Sequence, residues 1–315
     1  MTARWSYRMH DGSVPQNDPE DQEYAREVRR NARRLAKRPA PDLLEAPPDP
    51  FSITYRAARW EKIWLHRSLQ PFFDEGLLTD VLSLVKGGKE ANVYRCAGEP
   101  ALGMPLVAAK VYRPREFRNL RNDQMYREGR GVLTAEGKGL NRGDHRIIRA
   151  LGKKTEYGAQ VQHTSWLMHE YTTLQRLHSA GAAVPRPLAP AENAVLMQFI
   201  GDAERAAPAL NELALPPDEA HAVYSEVLRN IELLLEFGLA HGDLSAYNVL
   251  YWEGRVYLID FPQVAPIATN AHAEVILRRD LRRVCEYFTR QGVQCDFNSE
   301  FRRLWECRAA PDDMI

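Results

Sequence analysis

Residues His241 to Phe261 run HGDLSAYNVLYWEGRVYLIDF. Asp243 is followed five positions later by Asn248. An apolar β-type run (Val249–Tyr251) then reaches the turn pair Glu253-Gly254, and a second run (Val256–Ile259) ends on Asp260. β-Branched and aromatic residues on either side of a glycine-containing turn predict a β-hairpin. One carboxylate and one amide sit on the loop entering that hairpin, and a second carboxylate lies at its far end, so all three can meet. Hard cations take oxygen ligands, and Mg2+ is commonly held by one or two carboxylates together with substrate phosphates. Asn248 and Asp260 suit that task, which leaves Asp243 to accept a hydroxyl proton. The plainer alternative is a polar hairpin whose Asp and Asn cap turns.

Working outward, the segment from Asp218 to Phe237 carries apolar residues at helical spacing and ends at Gly238, so a long helix delivers the loop. Upstream, Ala194–Gly201 reads as a strand closing on glycine. Leu106–Tyr112 is another strand, with Lys110 among apolar neighbours. A lone lysine there suffers a desolvation penalty unless a carboxylate pairs with it. Thr164 or Ser165 is the expected cap of a helix ending at Gly181. Leu167, Tyr171, Leu174 and Leu177 mark its inner face, and Glu170 shares that face. Glu170 is therefore the expected partner of Lys110, the alternative being a solvated shoulder of the helix.

The order H-x-D-x-x-x-x-N, hairpin, D-F, preceded by a strand lysine and a helix glutamate, is the layout of protein-kinase-like phosphotransferases. Earlier still, Lys86-Gly87-Gly88-Lys89-Glu90 separates two strand-like runs. Glycines there let backbone N–H groups approach a phosphate, although any hairpin can hold two glycines. A helix is expected between Tyr55 and Phe73, stopping near Pro71 and Gly76, with Trp60, Trp64, Phe72 and Phe73 packing on the sheet. A helix with inner positions Val275, Leu281, Val284 and Phe288, with Asp280 and Arg283 lying among them, and a short one from Ser299 to Cys307, finish the fold.

The bulk properties of the 315-residue chain set the frame. Hydrophobic content of 44% and charged content of 27% are ordinary for a globular protein. A formal charge of +0 provides no global field for nucleic acid or membrane. The four cysteines form no C-x-x-C and read as reduced thiols of a cytoplasmic protein. No apolar run is long enough to span a bilayer. Ala25–Arg38 carries seven basic residues and one acid and is either an RNA- or phosphate-binding arm or a solvated tail. Pro39–Pro50 reads as a proline-rich linker. Residues 113–163, rich in arginine and glycine, read as a mobile surface excursion with short helical pieces, open to the same two interpretations.

With these residues assembled, the chain resembles the RIO family of atypical serine protein kinases from roughly Tyr55 to Phe297. The resemblance is carried by GKEANVY (Gly88–Tyr94), AAKVYR (Ala108–Arg113), Trp166–Glu170, MQFIG (Met197–Gly201), HGDLSAYNVLY (His241–Tyr251) and IDFPQ (Ile259–Gln263). It implies an α+β, bilobal, protein-kinase-like fold with a small β-rich N-lobe, a mainly helical C-lobe and no activation segment. The expected divisions are an arm and linker over 1–50, an N-lobe over 51–200 and a C-lobe over 201–315. The resemblance further implies ATP and Mg2+ as cofactors, Asp243 as catalytic base, Asn248 and Asp260 as metal ligands, and Lys110 on the phosphates. Gly88, Lys89, Val93, Glu170, Gln198 and Ile200 complete the expected nucleotide site, the last two at the hinge. Asp260 is also a candidate aspartyl-phosphate in an ATPase-like cycle. The implied partners are a protein serine/threonine substrate and ribosomal RNA or a ribosomal particle met through the basic arm and the 113–163 segment, with no membrane. Pro262 stands where D-F-G has glycine, and Ser245 where protein kinases place lysine. The alternatives are a small-molecule kinase of the aminoglycoside or choline type and an ATP-gated scaffold without turnover.

Overall fold

Alternation of apolar and polar residues builds a five-stranded sheet. The computed structural model describes residue 51 and residues 53–88, 90–113, 126, 128–141, 143–153 and 155–306. These belong to one compact unit, Phe51–Ile315; the expected arm over 1–50 lies outside the described residues. Strands β1 (Leu78–Gly87), β2 (Ala91–Gly98), β3 (Leu106–Tyr112), β4 (Pro187–Pro190) and β5 (Ala194–Gln198) pair antiparallel in the order β1-β2-β3-β5-β4.

Because side chains on a strand alternate between faces, the sheet serves two cores. Val81, Tyr94, Cys96, Val107, Ala109, Val111 and Leu196 face helix α1 (Arg59–Asp74), which contributes Leu65, Leu69 and Phe72. Burying each of those three side chains is worth about 1.5–3 kcal/mol. Ala108, Tyr112, Val195 and Met197 on the other face join the larger core that continues into the helical lobe. Pro71 was expected near the end of α1 but lies inside it; the helix runs on to Asp74, and Gly76 (φ +64°) makes the turn. Complete burial of Phe72 fixes the residues past the proline.

The excursion expected over residues 113–163 is largely ordered where it is described. It contains α2 (His145–Gly152), and α3 spans Glu156–Ser179, starting eight residues before the predicted cap at Thr164. Thr155 is the actual cap, its side chain accepting from Gly158 N–H at 3.1 Å. A Cβ at Gly158 would sit 2.3 Å from the carbonyl oxygen of Ala150. The glycine permits the close α2–α3 contact.

The helical lobe contains α4 (Pro217–Glu236), the short pairing of β6 (Leu239–Ala240) with β9 (Ala265–Pro266), the hairpin β7 (Val249–Trp252)–β8 (Arg255–Leu258), α5 (Ala273–Arg290) and α6 (Phe297–Glu306). The hairpin turns at Glu253 (φ +50°) and Gly254 (φ +80°), as its turn residues require. Val275, expected on the inner face of α5, is exposed, whereas Leu281, Val284 and Phe288 are buried. The α+β bilobal expectation stands. Only residues 261–272 join Asp260 to α5, and no activation segment lies between them.

Candidate active site

Strand β3 places Lys110 opposite Val93 of β2 and Val195 of β5, with 11% of its side chain exposed. Helix α3 turns Glu170 toward it. Lys110 Nζ donates to Glu170 Oε1 at 2.5 Å and to Asp260 Oδ1 at 2.7 Å. Three elements far apart in sequence thus meet on one ammonium. Burial alone would depress the Lys110 pKa, but the charges of Asp260 and Glu170 outweigh it and hold it above the ordinary lysine value. Burial also opposes ionisation of Asp260, yet Lys110 keeps it below the usual carboxylate range. Glu170, 1% exposed, is pushed up by burial more than Lys110 and the backbone of Phe261 draw it down.

The catalytic loop is set from below. His241 is buried, its Nε2 3.2 Å from the Ile259 carbonyl oxygen and its ring tilted 4.7 Å from Phe261. Gly242 has φ +89°, and a Cβ would lie 2.0 Å from the Gln263 carbonyl oxygen, so no side chain fits. Asp280 Oδ2 accepts from Gly242 N–H at 2.7 Å, and Arg279 donates to the Gly242 carbonyl and to Asp280 Oδ1. Both flanking polar groups of that peptide are therefore held by α5.

Asn248 donates through Nδ2 to the Asp243 carbonyl at 2.8 Å and lies 3.4 Å from Asp243 Oδ2, while its own carbonyl accepts from Ile259 N–H at 3.0 Å. The hairpin thereby returns Asp260 to the Asn248 end of the loop. Asp260 takes φ +73°, in the left-handed region. For a residue with a side chain this strain is worth about 1–2 kcal/mol, and Asp tolerates it better than most. The left-handed backbone falls on the aspartate rather than on Pro262.

Of the remaining expected residues, Val93 lies in β2, Gln198 ends β5 and Ile200 follows it. Gly88 closes the β1–β2 turn, donating to the Ala91 carbonyl at 2.9 Å, and a Cβ there would clash with that same oxygen. Lys89 lies outside the described residues. Gln198 N–H is taken by the Arg186 carbonyl at 2.8 Å, and the Ile200 carbonyl by Ala207 N–H at 2.9 Å. Among the described residues no acceptor is found for the Ile200 N–H, although Ile200 is buried.

Comparison with known proteins follows this geometry. The RIO-domain family model matches residues 138–300, just over half of the chain. The chain is 31% identical over 245 residues to the RIO-type serine/threonine-protein kinase Rio1 of Haloferax volcanii, covering 73% of this chain and 74% of that protein. This chain belongs to the RIO-domain family. It is also 28% identical to the serine/threonine-protein kinase rio1 of Schizosaccharomyces pombe and 27% identical to the serine/threonine-protein kinase RIO1 of Homo sapiens. These alignments cover 72% and 69% of this chain but 42% and 35% of those relatives, so the chain spans well under half their length.

The RIO-domain residues suit a divalent cation shared with a nucleotide. Asn248 spends its amide N–H on Asp243, which leaves the amide oxygen as its open end, and Asp260 is a carboxylate 42% exposed. Among the described residues no three or more His, Cys, Asp or Glu side chains group to hold a metal ion. One carboxylate and one amide oxygen fit a hard cation whose other ligands come from phosphates and water.

The sequence places Asp280 and Arg283 among the inner positions of α5 but gives them no role, and it passes over Arg279. Arg279, Asp280 and Arg283 all grip the catalytic loop, and Arg283 Nη1 binds Asp243 Oδ1 at 2.8 Å. The available signal was the charged run RRDLRR inside a helix whose buried face includes Leu277, Leu281 and Val284. Arg130, within the presumed mobile excursion, donates to the Pro262 carbonyl at 2.8 Å and tethers the segment after Asp260.

Proposed function

We propose that this chain is an ATP- and Mg2+-dependent phosphotransferase of the RIO kinase type, acting on a protein serine or threonine hydroxyl and also hydrolysing ATP through an aspartyl-phosphate at Asp260. The observation that carries this reading is the single ammonium of Lys110 bound to both Glu170 and Asp260. Glu170 fixes the lysine in a buried site, and the lysine presents its charge where α- and β-phosphate oxygens would lie. Ile200 N–H is the group for the adenine edge, and Gly88 lets the β1–β2 turn approach the phosphates. Asn248 and Asp260 would hold the cation, which when bound neutralises charge on the transferring phosphoryl group. Asp243 accepts the proton of the attacking hydroxyl. Asp260, kept anionic by Lys110 and partly exposed, is suited to attack the γ-phosphorus: its Oδ–P bond forms as the bond to the β-phosphate oxygen breaks and ADP leaves. Water then cleaves the acyl phosphate.

Membership in the RIO-domain family favours this reading over a small-molecule kinase, and turnover separates it from a scaffold. Acid-quenched single turnovers with γ-labelled ATP and Mg2+ provide the test. Wild type should yield a hydroxylamine-labile phospho-enzyme that Asp260→Ala lacks, while Asp243→Ala slows turnover yet still binds nucleotide. Full ATPase activity in both variants would overturn the mechanism. Contact with RNA through the basic arm rests on charge alone; deleting residues 1–38 should weaken RNA binding in a salt-dependent manner, and unchanged affinity would remove that part.

A further inference from the structure

Helix α5 meets the catalytic loop with three side chains on adjoining positions. Arg279 and Asp280 hold the Gly242 peptide, whereas Arg283, one turn further, reaches the functional carboxylate itself. Arg283 Nη1 lies 2.8 Å from Asp243 Oδ1, with 41% and 38% of the two side chains exposed. Among the described residues, the other oxygen, Oδ2, has only the long 3.4 Å contact from Asn248, whose amide is committed to the Asp243 carbonyl at 2.8 Å. The two oxygens are therefore unequal: one is tied to a guanidinium, the other is held loosely near the cleft. Without the guanidinium, Oδ1 would lose its 2.8 Å partner.

We infer that Arg283 is a positioning residue that occupies Oδ1 and so reserves Oδ2 of Asp243 for the incoming hydroxyl proton. This rests on the phosphotransfer reading above. A helix already fixed to the loop at the neighbouring peptide is a rigid mount, and small misplacements of a reacting group are costly to rate. Since the pair is two-fifths exposed, it adds little to stability, and its loss leaves the fold in place.

The test measures phosphotransfer from MgATP by the full chain carrying Arg283→Gln, Arg283→Lys, Asp243→Asn and the double variant Asp243→Asn/Arg283→Gln. Arg283→Gln should lower kcat about 10- to 100-fold. Its KM for ATP should stay within about twofold of wild type, and its Tm within about 2 °C. Lysine at 283 should recover part of the rate. In the Asp243→Asn background, Arg283→Gln should cause no further loss, because the group it orients is gone. An unchanged kcat in Arg283→Gln, or losses that multiply in the double variant, would overturn the inference alone. Undiminished turnover in Asp243→Asn would instead remove the phosphotransfer reading and this inference with it.

Discussion

Two ion pairs of similar length face the same cleft, and burial makes them different devices. Lys110–Glu170, at 2.5 Å, involves a carboxylate only 1% exposed. Arg283–Asp243, at 2.8 Å, leaves each side chain about two-fifths exposed. In the first, desolvation is severe, so each charge requires the other and the network links β3, α3 and the segment of Asp260. In the second, water screens the attraction and leaves the carboxylate able to exchange partners during a reaction. On the proposed function, the charges that organise the nucleotide lie in the dry layer and the carboxylate that takes the proton lies at the wet edge.

The sharpest challenge to that contrast is Lys110→Met. Removing the cation strands a buried Glu170, and urea unfolding should show a loss of about 3–5 kcal/mol together with loss of phosphotransfer. A loss below about 1 kcal/mol would mean that the network is wet and the contrast false. Gly242→Ala comes next: with φ +89° and the Gln263 carbonyl in the way, it should destabilise by about 2 kcal/mol or more and displace Asp243, reducing turnover.

His241 sharpens the comparison through pH. Burial, only partly offset by Asp280, Asp260 and Asp243, lowers its pKa in the folded state. Below about pH 6.5 the unfolded chain binds a proton there that the folded chain does not, so stability falls as pH falls through that window. The contribution is at most about 1.4 kcal/mol per pH unit, and His241→Gln should flatten the slope of the unfolding free energy against pH by up to that amount. An unchanged slope would show that His241 titrates in the folded protein as it does in the unfolded chain. The smallest expected effect on stability is that of Arg283→Gln, under about 1 kcal/mol by the same unfolding measurement.

Legibility followed locality. The hairpin after Asn248 and strand β3 carry their own signals, period-two alternation and turn residues, and both lie where the sequence places them. Lys110 and Glu170 were legible as a pair because each is unfavourable alone in an apolar setting. The start of α3 was hidden because the segment before Thr164 carries little sustained apolar period. Val275 was misassigned because it falls on the solvent side of the first turn of α5, between the buried Ala273 and Ile276. The roles of Arg130, Arg279 and Arg283 depend on contacts more than 35 positions away in the chain, which no local pattern encodes.

The central claim is that these separated side chains surround one nucleotide's phosphates. A crystal structure of the chain with Mg2+ and a non-hydrolysable ATP analogue tests it most directly. The account predicts α- and β-phosphate oxygens on Lys110, the cation between Asn248 and Asp260, and the γ-phosphate directed toward Asp243. A nucleotide bound away from Lys110, or a γ-phosphate pointing from both aspartates toward solvent, would contradict it.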